Sequence, residues 1–407
     1  MHIRRFAGRA AALLFACLPA ASLANAQENV LQIRAHEVVL PDGSRLEDAV
    51  VVLENGKIRS VGEEHADPEL PLVECDGVLT PGLIACQTAS GAAGETTDST
   101  RQLLPEARIV HAFEPDHPDF EKALAAGITT VVLAPSEWNL AGGLTAVVKT
   151  HGGEVLSSEG HLALSFSSRA LAGGAQAVSF GFGAAEADPH LEATDGGLEN
   201  TASGRRGNRP PTSYGGAVAL LTERLGDTDG VFARAAKGKL PVYLAAWDRN
   251  EVLRAVQFAT RHHLKGLLRG APLAGDERLV GPIRESGLGV VLGPFALGQR
   301  PRSLESVKRL QDAGVPVGFA LGAPARHPET FRWSGAMAVA EGADPAKVLD
   351  SMTATAARLA GVDERVGTIA VGKDADLVLW SGDPLDLSSS VEAVFVDGEL
   401  VYRKEAR

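Results

Sequence analysis

Cysteine is scarce in this chain, with three in 407 residues. That excludes a scaffold built on disulfides, which needs several pairs. Aromatic residues make up only 5%. Basic residues are outnumbered, 39 against 51 acidic, for a formal charge of −12, and they form no block. Phosphate neutralisation needs clustered Lys and Arg, so a nucleic-acid partner is not expected. Beyond the N-terminus no stretch approaches the length of uncharged apolar sequence that a membrane-spanning helix needs. What is present is a 45% hydrophobic fraction, which suits a globular protein. The 45 glycines point to many tight turns, and the 11 histidines suffice for a metal site if they are well placed.

Residues 1–26 read as a secretory signal peptide. Arg4, Arg5 and Arg9 form the positive region, residues 10–18 the apolar one, and Ala24-Asn25-Ala26 the cleavage site. Cleavage after Ala26 predicts a secreted protein, periplasmic in a Gram-negative source, with no membrane attachment. It removes three arginines and no acid, taking the charge from −12 to −15. It also removes Cys17, leaving Cys75 and Cys86. On one extended run these lie roughly 35 Å apart at ~3.3 Å per residue, against about 7 Å for a disulfide. Two free thiols are expected.

Residues 30–61 read as short strands, with Pro41-Asp42-Gly43-Ser44 and Asn55-Gly56 as hairpin turns. From about 82 to 360 the pattern becomes strand–helix alternation. Strands are expected at 128–133, 240–245, 287–292 and 315–321, and helices at 120–127, 251–263 and 304–313. Such alternation suits a (β/α) barrel or a doubly wound sheet. Residues 181–213, rich in Gly, Ala, Asp, Asn and Pro, read as a long flexible insert, with a lid over a pocket as the functional alternative. After 360 short strands return around Asp397-Gly398, a hairpin turn. Both ends are therefore expected to pair into one small β domain.

The residues also resemble a known family. Thr80-Pro81-Gly82-Leu83-Ile84 looks like the entry to the barrel of metal-dependent amidohydrolases. Val366-Gly367-Thr368-Ile369-Ala370-Val371-Gly372-Lys373-Asp374-Ala375-Asp376-Leu377-Val378 looks like their C-terminal signature. The similarity is closest to the imidazolonepropionase-like branch. It implies an α/β fold: a TIM (β/α)8-type barrel plus a small β-sandwich formed by both termini. The implied boundaries are 27–80, 81–360 and 361–407 for N-terminal sandwich, barrel and C-terminal sandwich. It further implies hydrolysis of carbon–nitrogen (non-peptide) bonds by one or two divalent metals such as zinc, held by His and Asp at the strand ends.

The matching positions here carry other residues. Gln87 and Ala89 stand where the first strand has its H-x-H pair, and Ala245 lies in the stretch expected to hold a middle-strand His. Arg269 replaces the next His, and Gly322 and Ala323 the last-strand Asp. Lys149 loosely matches the carboxylated lysine of some members. Cys86, beside the first ligand position, is a weak candidate nucleophile. Glu95, Asp98, His111, His117, His151 and His161 show no ligand spacing, and His262-His263 point apart on a helix. The leading expectation is a secreted pseudo-enzyme without a metal centre or other cofactor. Its partner is a small-molecule ligand in the vestigial pocket or an active homologous subunit. The alternative is an active hydrolase on cyclic amides or dipeptide-like substrates through a rebuilt site or Cys86.

Overall fold

The computed structural model describes residues 30–63, 66–98, 100–171, 211–270, 275–296, 298–322 and 327–405. The signal peptide, most of the 181–213 insert and Ala323 lie outside these.

The first four strands are β1 (Val30–Val39), β2 (Arg45–Glu54), β3 (Lys57–Glu63) and β4 (Leu72–Pro81). β1 pairs antiparallel with β2 and parallel with β4, and β2 pairs antiparallel with β3. At the β2–β3 turn Asn55 and Gly56 both take positive φ, 50° and 80°. That is the geometry that matches the twist of a two-residue hairpin and the reason an Asn-Gly pair is found there.

Ten strands follow in the α/β region. They are β5 (Leu83–Thr88), β6 (Ile128–Leu133), β7 (Ala141–Leu144), β8 (Ala146–Lys149) and β9 (Val155–Ser157). Then come β10 (Leu162–Ser165), β11 (Val242–Ala245), β12 (Gly266–Arg269), β13 (Gly289–Leu292) and β14 (Val317–Phe319). β6 is buried along its whole length, as its β-branched run predicts. The helices between them bury one face. In Arg249–Arg261 that face carries Val252, Ala255, Val256 and Ala259, the spacing of an amphipathic helix.

The mixed α/β class agrees with the sequence, but the regular parallel alternation does not hold throughout. β5, β6, β8 and β9 form one sheet; β7 and β10 to β14 form another. Among the described residues no ladder joins the two sheets into a closed barrel. β7 and β8 are one run of chain interrupted at Thr145. β7 pairs antiparallel with β10, and β8 antiparallel with β6. The cause is the connection. Residues 134–140 are too few for the crossover that a parallel return requires, so the chain turns straight back. At the other seam Leu321 N donates to Gln87 O at 3.0 Å.

The space between the strands is filled. Ile84, Cys86, Val132, Val147, Tyr243, Leu267 and Val291 pack with Ala356, Ala357 and Ala360 of the helix Ala354–Ala360. Gly289 and Gly318 make room for it: a Cβ on either would stand 2.3 Å and 3.0 Å from the Leu359 methyls.

The last strands are β15 (Leu377–Trp380), β16 (Val391–Val396) and β17 (Glu399–Arg403). β15 pairs antiparallel with β4, so both ends of the chain share one seven-stranded sheet. The strands from both termini, expected to make a small β-sandwich, are hydrogen-bonded as one sheet. This sheet is single and curls on itself, enclosing Ile33, Val51, Leu53, Ile58, Leu79, Leu377 and Phe395. The curl returns β3 to the segment before β15, where Ile58 N donates to Lys373 O at 2.9 Å. The two hairpin tips, Gly56 and Asp397-Gly398, meet there.

Candidate functional site

In a strand-and-helix layer of this kind, side chains just past the C-terminal strand ends gather at one mouth. Ser165, Ala245 and Arg269 lie in register across β10, β11 and β12. Ala245 is buried and presents only a methyl. Ala89 is half-buried and Gly322, at φ +70°, accepts from the Thr88 hydroxyl at 3.4 Å. Gln87 reaches across from β5: its Oε1 accepts from Arg269 Nη2 at 3.1 Å and from Nε at 3.3 Å.

Arg269 is the central group. It is 4% exposed, and its Nη1 has no hydrogen-bond partner. Its Cζ lies 5.2 Å from the centre of the Trp247 ring, a cation–π stack. No carboxylate among the described residues pairs with it. Trp247 carries more: its indole N–H donates to Glu137 Oε2, and the exposed Arg169 stacks on it at 5.5 Å and on Trp138 at 5.7 Å. The wall is pinned from behind by Glu251, 2% exposed, which accepts from Trp247 N at 2.8 Å, Ser168 N at 2.7 Å and the Tyr214 hydroxyl at 2.9 Å. Burial pushes the neighbouring Tyr243 phenol well above its usual range, with the Arg269 charge pulling the other way.

These residues do not fit a divalent metal. At the described positions that match the family's ligands, an amide, two methyls and a guanidinium offer no imidazole or carboxylate, and Glu137 is engaged by the Trp247 indole. Two unit charges at 4 Å interact by about 4 kcal/mol at a protein-like dielectric, so a dication that close to Arg269 would be repelled by about 8 kcal/mol.

Lys149 is not at this mouth. Because β8 runs antiparallel to β6, its last residue pairs with Thr130 near the start of β6, at the opposite end of the layer. The resemblance to a metal-bridging lysine therefore fails on chain direction. Lys149 is fully buried and its ammonium donates to Asp397 at 2.5 Å, Asp374 at 2.8 Å and Asp376 at 3.1 Å. Arg365 bonds Asp374 and Glu154, each at 2.6 Å, and Lys57 also pairs with Asp374. Asp374 and Asp376 of the C-terminal signature thus clamp β8 and the β2–β3 hairpin together. Burial works against the Lys149 charge, but its carboxylates hold it above the usual lysine range. Burial likewise opposes the Asp374 charge, and Lys149 and Lys57 overcome it to hold that carboxyl low. Asp376 is pushed up to about 6 by burial, and its Oδ2 has no partner. Glu154, Asp374 and Asp397 form the one trio of potential ligand groups among the described residues, and Lys149 and Arg365 already sit against them.

Cys86 is 2% exposed in the closed interior, with Sγ 3.9 Å from Ala356 O. Burial pushes its thiol up to about 12, so it is not a thiolate at neutral pH. That is not the environment of an activated nucleophile. Cys75 and Cys86 are both free. His161 is buried beside Thr145 and pushed down to about 4 by burial. Sequence reasoning placed Gln87 and Arg269 but gave no side-chain role to Glu137, Trp138, Arg169 or Trp247. The available signal was their position two to five residues past the ends of β6, β10 and β11, with charge and aromatic surface combined.

An amidohydrolase-family model matches residues 256–401. An imidazolonepropionase from Idiomarina loihiensis is 27% identical over 371 residues, covering 83% of this chain and 86% of that protein. Another, from Cupriavidus taiwanensis, is 27% identical over 394 residues, covering 87% and 90%. The solved amidohydrolase from Thermotoga maritima superposes with a TM-score of 0.76 at 22% identity, covering 92% of this chain and all of that one. A zinc-bound adenosine deaminase from Xanthomonas campestris superposes at 0.52, with 18% identity and coverage of 91% and 92%. These neighbours imply a TIM-barrel-type fold.

Proposed function

The chain belongs to the amidohydrolase superfamily, on its imidazolonepropionase-like branch, and from that premise we propose that it is a metal-free member whose mouth binds a small carboxylate rather than hydrolysing a C–N bond. The observation that carries this reading is Arg269. It stands at a strand end where the family pattern has a metal ligand, is held by Gln87 and Trp247, and leaves Nη1 buried without a hydrogen-bond partner among the described residues. A buried guanidinium without a counter-charge is costly, and a carboxylate meets its planar fork in two parallel bonds. No step of bond cleavage is assigned to these side chains.

Two measurements test this. The protein is expressed with zinc, iron and manganese in the medium, dialysed without chelator, and analysed for metal; stoichiometric retention overturns the reading. Calorimetry with a panel of small carboxylates should detect binding that Arg269→Gln weakens by roughly tenfold or more, the scale of one charge-assisted contact. Turnover of imidazolone-type cyclic amides would favour the hydrolase instead. With its first 26 residues read as a cleaved leader, the protein acts outside the cytoplasm, as a ligand binder or beside an active homologous subunit. It needs no nucleic acid or membrane. N-terminal sequencing of the exported protein should begin at Gln27.

A further inference from the structure

A cavity of about 300 Å³ opens where the terminal sheet meets the helix Pro345–Met352. It lies at the opposite end of the layer from Arg269. Pro81, on its wall, comes just before β5, and Gln87 stands near the far end of that strand, about 20 Å on at ~3.3 Å per residue. Leu40, Pro41, Pro345, Leu349, Ala354 and Leu385 give the cavity an apolar body.

Its charged lining is one-sided: three carboxylates, Asp344, Asp350 and Asp383, against one guanidinium, Arg45. Arg45 is already paired twice, with Glu37 at 2.5 Å and Asp383 at 2.6 Å. Asp344 caps the helix, accepting from Ala346 N at 2.9 Å and Lys347 N at 3.3 Å, both through Oδ1. Asp350 accepts from the Thr355 hydroxyl at 2.5 Å and Arg358 Nη2 at 3.4 Å, both through Oδ2. Each of these two carboxylates therefore keeps one oxygen without a hydrogen bond among the described residues. The peptide groups of Gly367 and Thr368, also on the wall, make none with other described residues either. That wall is held in place: at φ +92° a Cβ on Gly367 would stand 2.6 Å from Ala357 Cβ. An anion would meet the wrong sign here, and the helix terminus that could attract one is occupied by Asp344.

We infer that this cavity is a separate binding site for a small apolar molecule carrying one ammonium group, such as an arylalkyl amine. Its apolar body takes the hydrocarbon, and the free oxygens of Asp344 and Asp350 with the open peptide carbonyls take the ammonium. The volume equals about ten shares of ~30 Å³, the space of one water each, which is room for about ten non-hydrogen atoms. The site stands apart from the mouth and does not depend on the carboxylate reading.

The test is calorimetry on the mature protein with three ligands of near-equal size: phenethylamine, phenethyl alcohol and phenylacetate. Phenethylamine should bind with a Kd between about 10 μM and about 1 mM, the range open to so few atoms. It should bind roughly tenfold tighter than the alcohol, and added salt should weaken the amine alone. Ala346→Phe puts a ring into the cavity from an exposed helical position and should abolish amine binding. Asp344→Asn keeps the helix cap and removes one charge, so it should weaken the amine roughly two- to fivefold and leave the alcohol unchanged. Arg269→Gln should leave amine binding as it is. Phenylacetate held at the mouth would respond in the reverse way, lost with Arg269→Gln and kept with Ala346→Phe. Absence of amine binding overturns the inference. So does amine binding that survives Ala346→Phe or disappears with Arg269→Gln, or alcohol binding as tight as that of the amine.

Discussion

Neutralising Asp376 should make this protein more stable as the pH rises. Its side chain joins a cluster of four carboxylates, Glu154, Asp374, Asp376 and Asp397, facing three cations, Lys57, Lys149 and Arg365, in which Asp374, Asp376 and Lys149 are buried and the others partly exposed. One negative charge is therefore in excess, and Asp376 carries the oxygen with no partner. Burial raises this carboxyl from 3.8 to about 6. At about 1.4 kcal/mol per tenfold change in proton affinity, ionising it in the native state costs about 3 kcal/mol. Its native value lies above its unfolded one. Its favourable contribution is therefore complete below about pH 4 and is lost as pH rises through about 6. Asp376→Asn mimics the protonated form, keeping an acceptor for Lys149 and for Asp397 N. His161, pushed down to about 4, runs the opposite way in the same window, so the informative quantity is the difference between variant and parent. Urea unfolding from about pH 4.5 to about pH 8 should give a variant lead of only about 1 kcal/mol at the acid end, where the native carboxyl is still protonated and the unfolded one is mostly ionised. The variant should lead by up to about 3 kcal/mol at the alkaline end. Parallel curves, or a variant deficit that grows with pH, would refute the reasoning.

Lys149→Met should do the reverse. It removes the only fully buried cation of the cluster and strands three aspartates, costing about 3–5 kcal/mol at neutral pH and less at about pH 5, where carboxylates begin to protonate; chemical denaturation reads this. Gly318→Ala should cost about 1–3 kcal/mol, since its Cβ would stand 2.6 Å from Cys86 Sγ, and a double-mutant cycle with Cys86→Ala should recover part of it. Cys86 should resist a thiol reagent in the native protein and react on unfolding, while Cys75, half-buried, reacts first; simultaneous labelling would contradict the burial.

Two residues of the mouth were legible in the sequence, and the rest depended on long-range pairing. Arg269 and Gln87 stand at strand ends because apolar runs locate strands and mouths follow strand ends. Lys149 would reach the mouth only if its strand ran parallel with the rest, and it runs antiparallel to β6. Residues 134–140 already argued against a parallel run, since so short a connection forces an antiparallel return. Trp247 and Glu137 meet across 110 residues, and nothing local in either segment announces the other.

By itself, then, the sequence determined what is local. Asn55-Gly56 and Asp397-Gly398 fold as hairpin tips because those residues tolerate positive φ. Buried runs such as 128–133 become strands, and two thiols spaced along one extended stretch stay unpaired. Tertiary structure alone decided which charges face each other. It curled the terminal sheet so that the hairpin tips and the Asp374–Asp376 signature close on Lys149, and it set Arg269 against Gln87 and Trp247. The reason is physical: backbone preference and hydrophobic period act over a few residues. A buried charge finds its partners only once distant strands are paired.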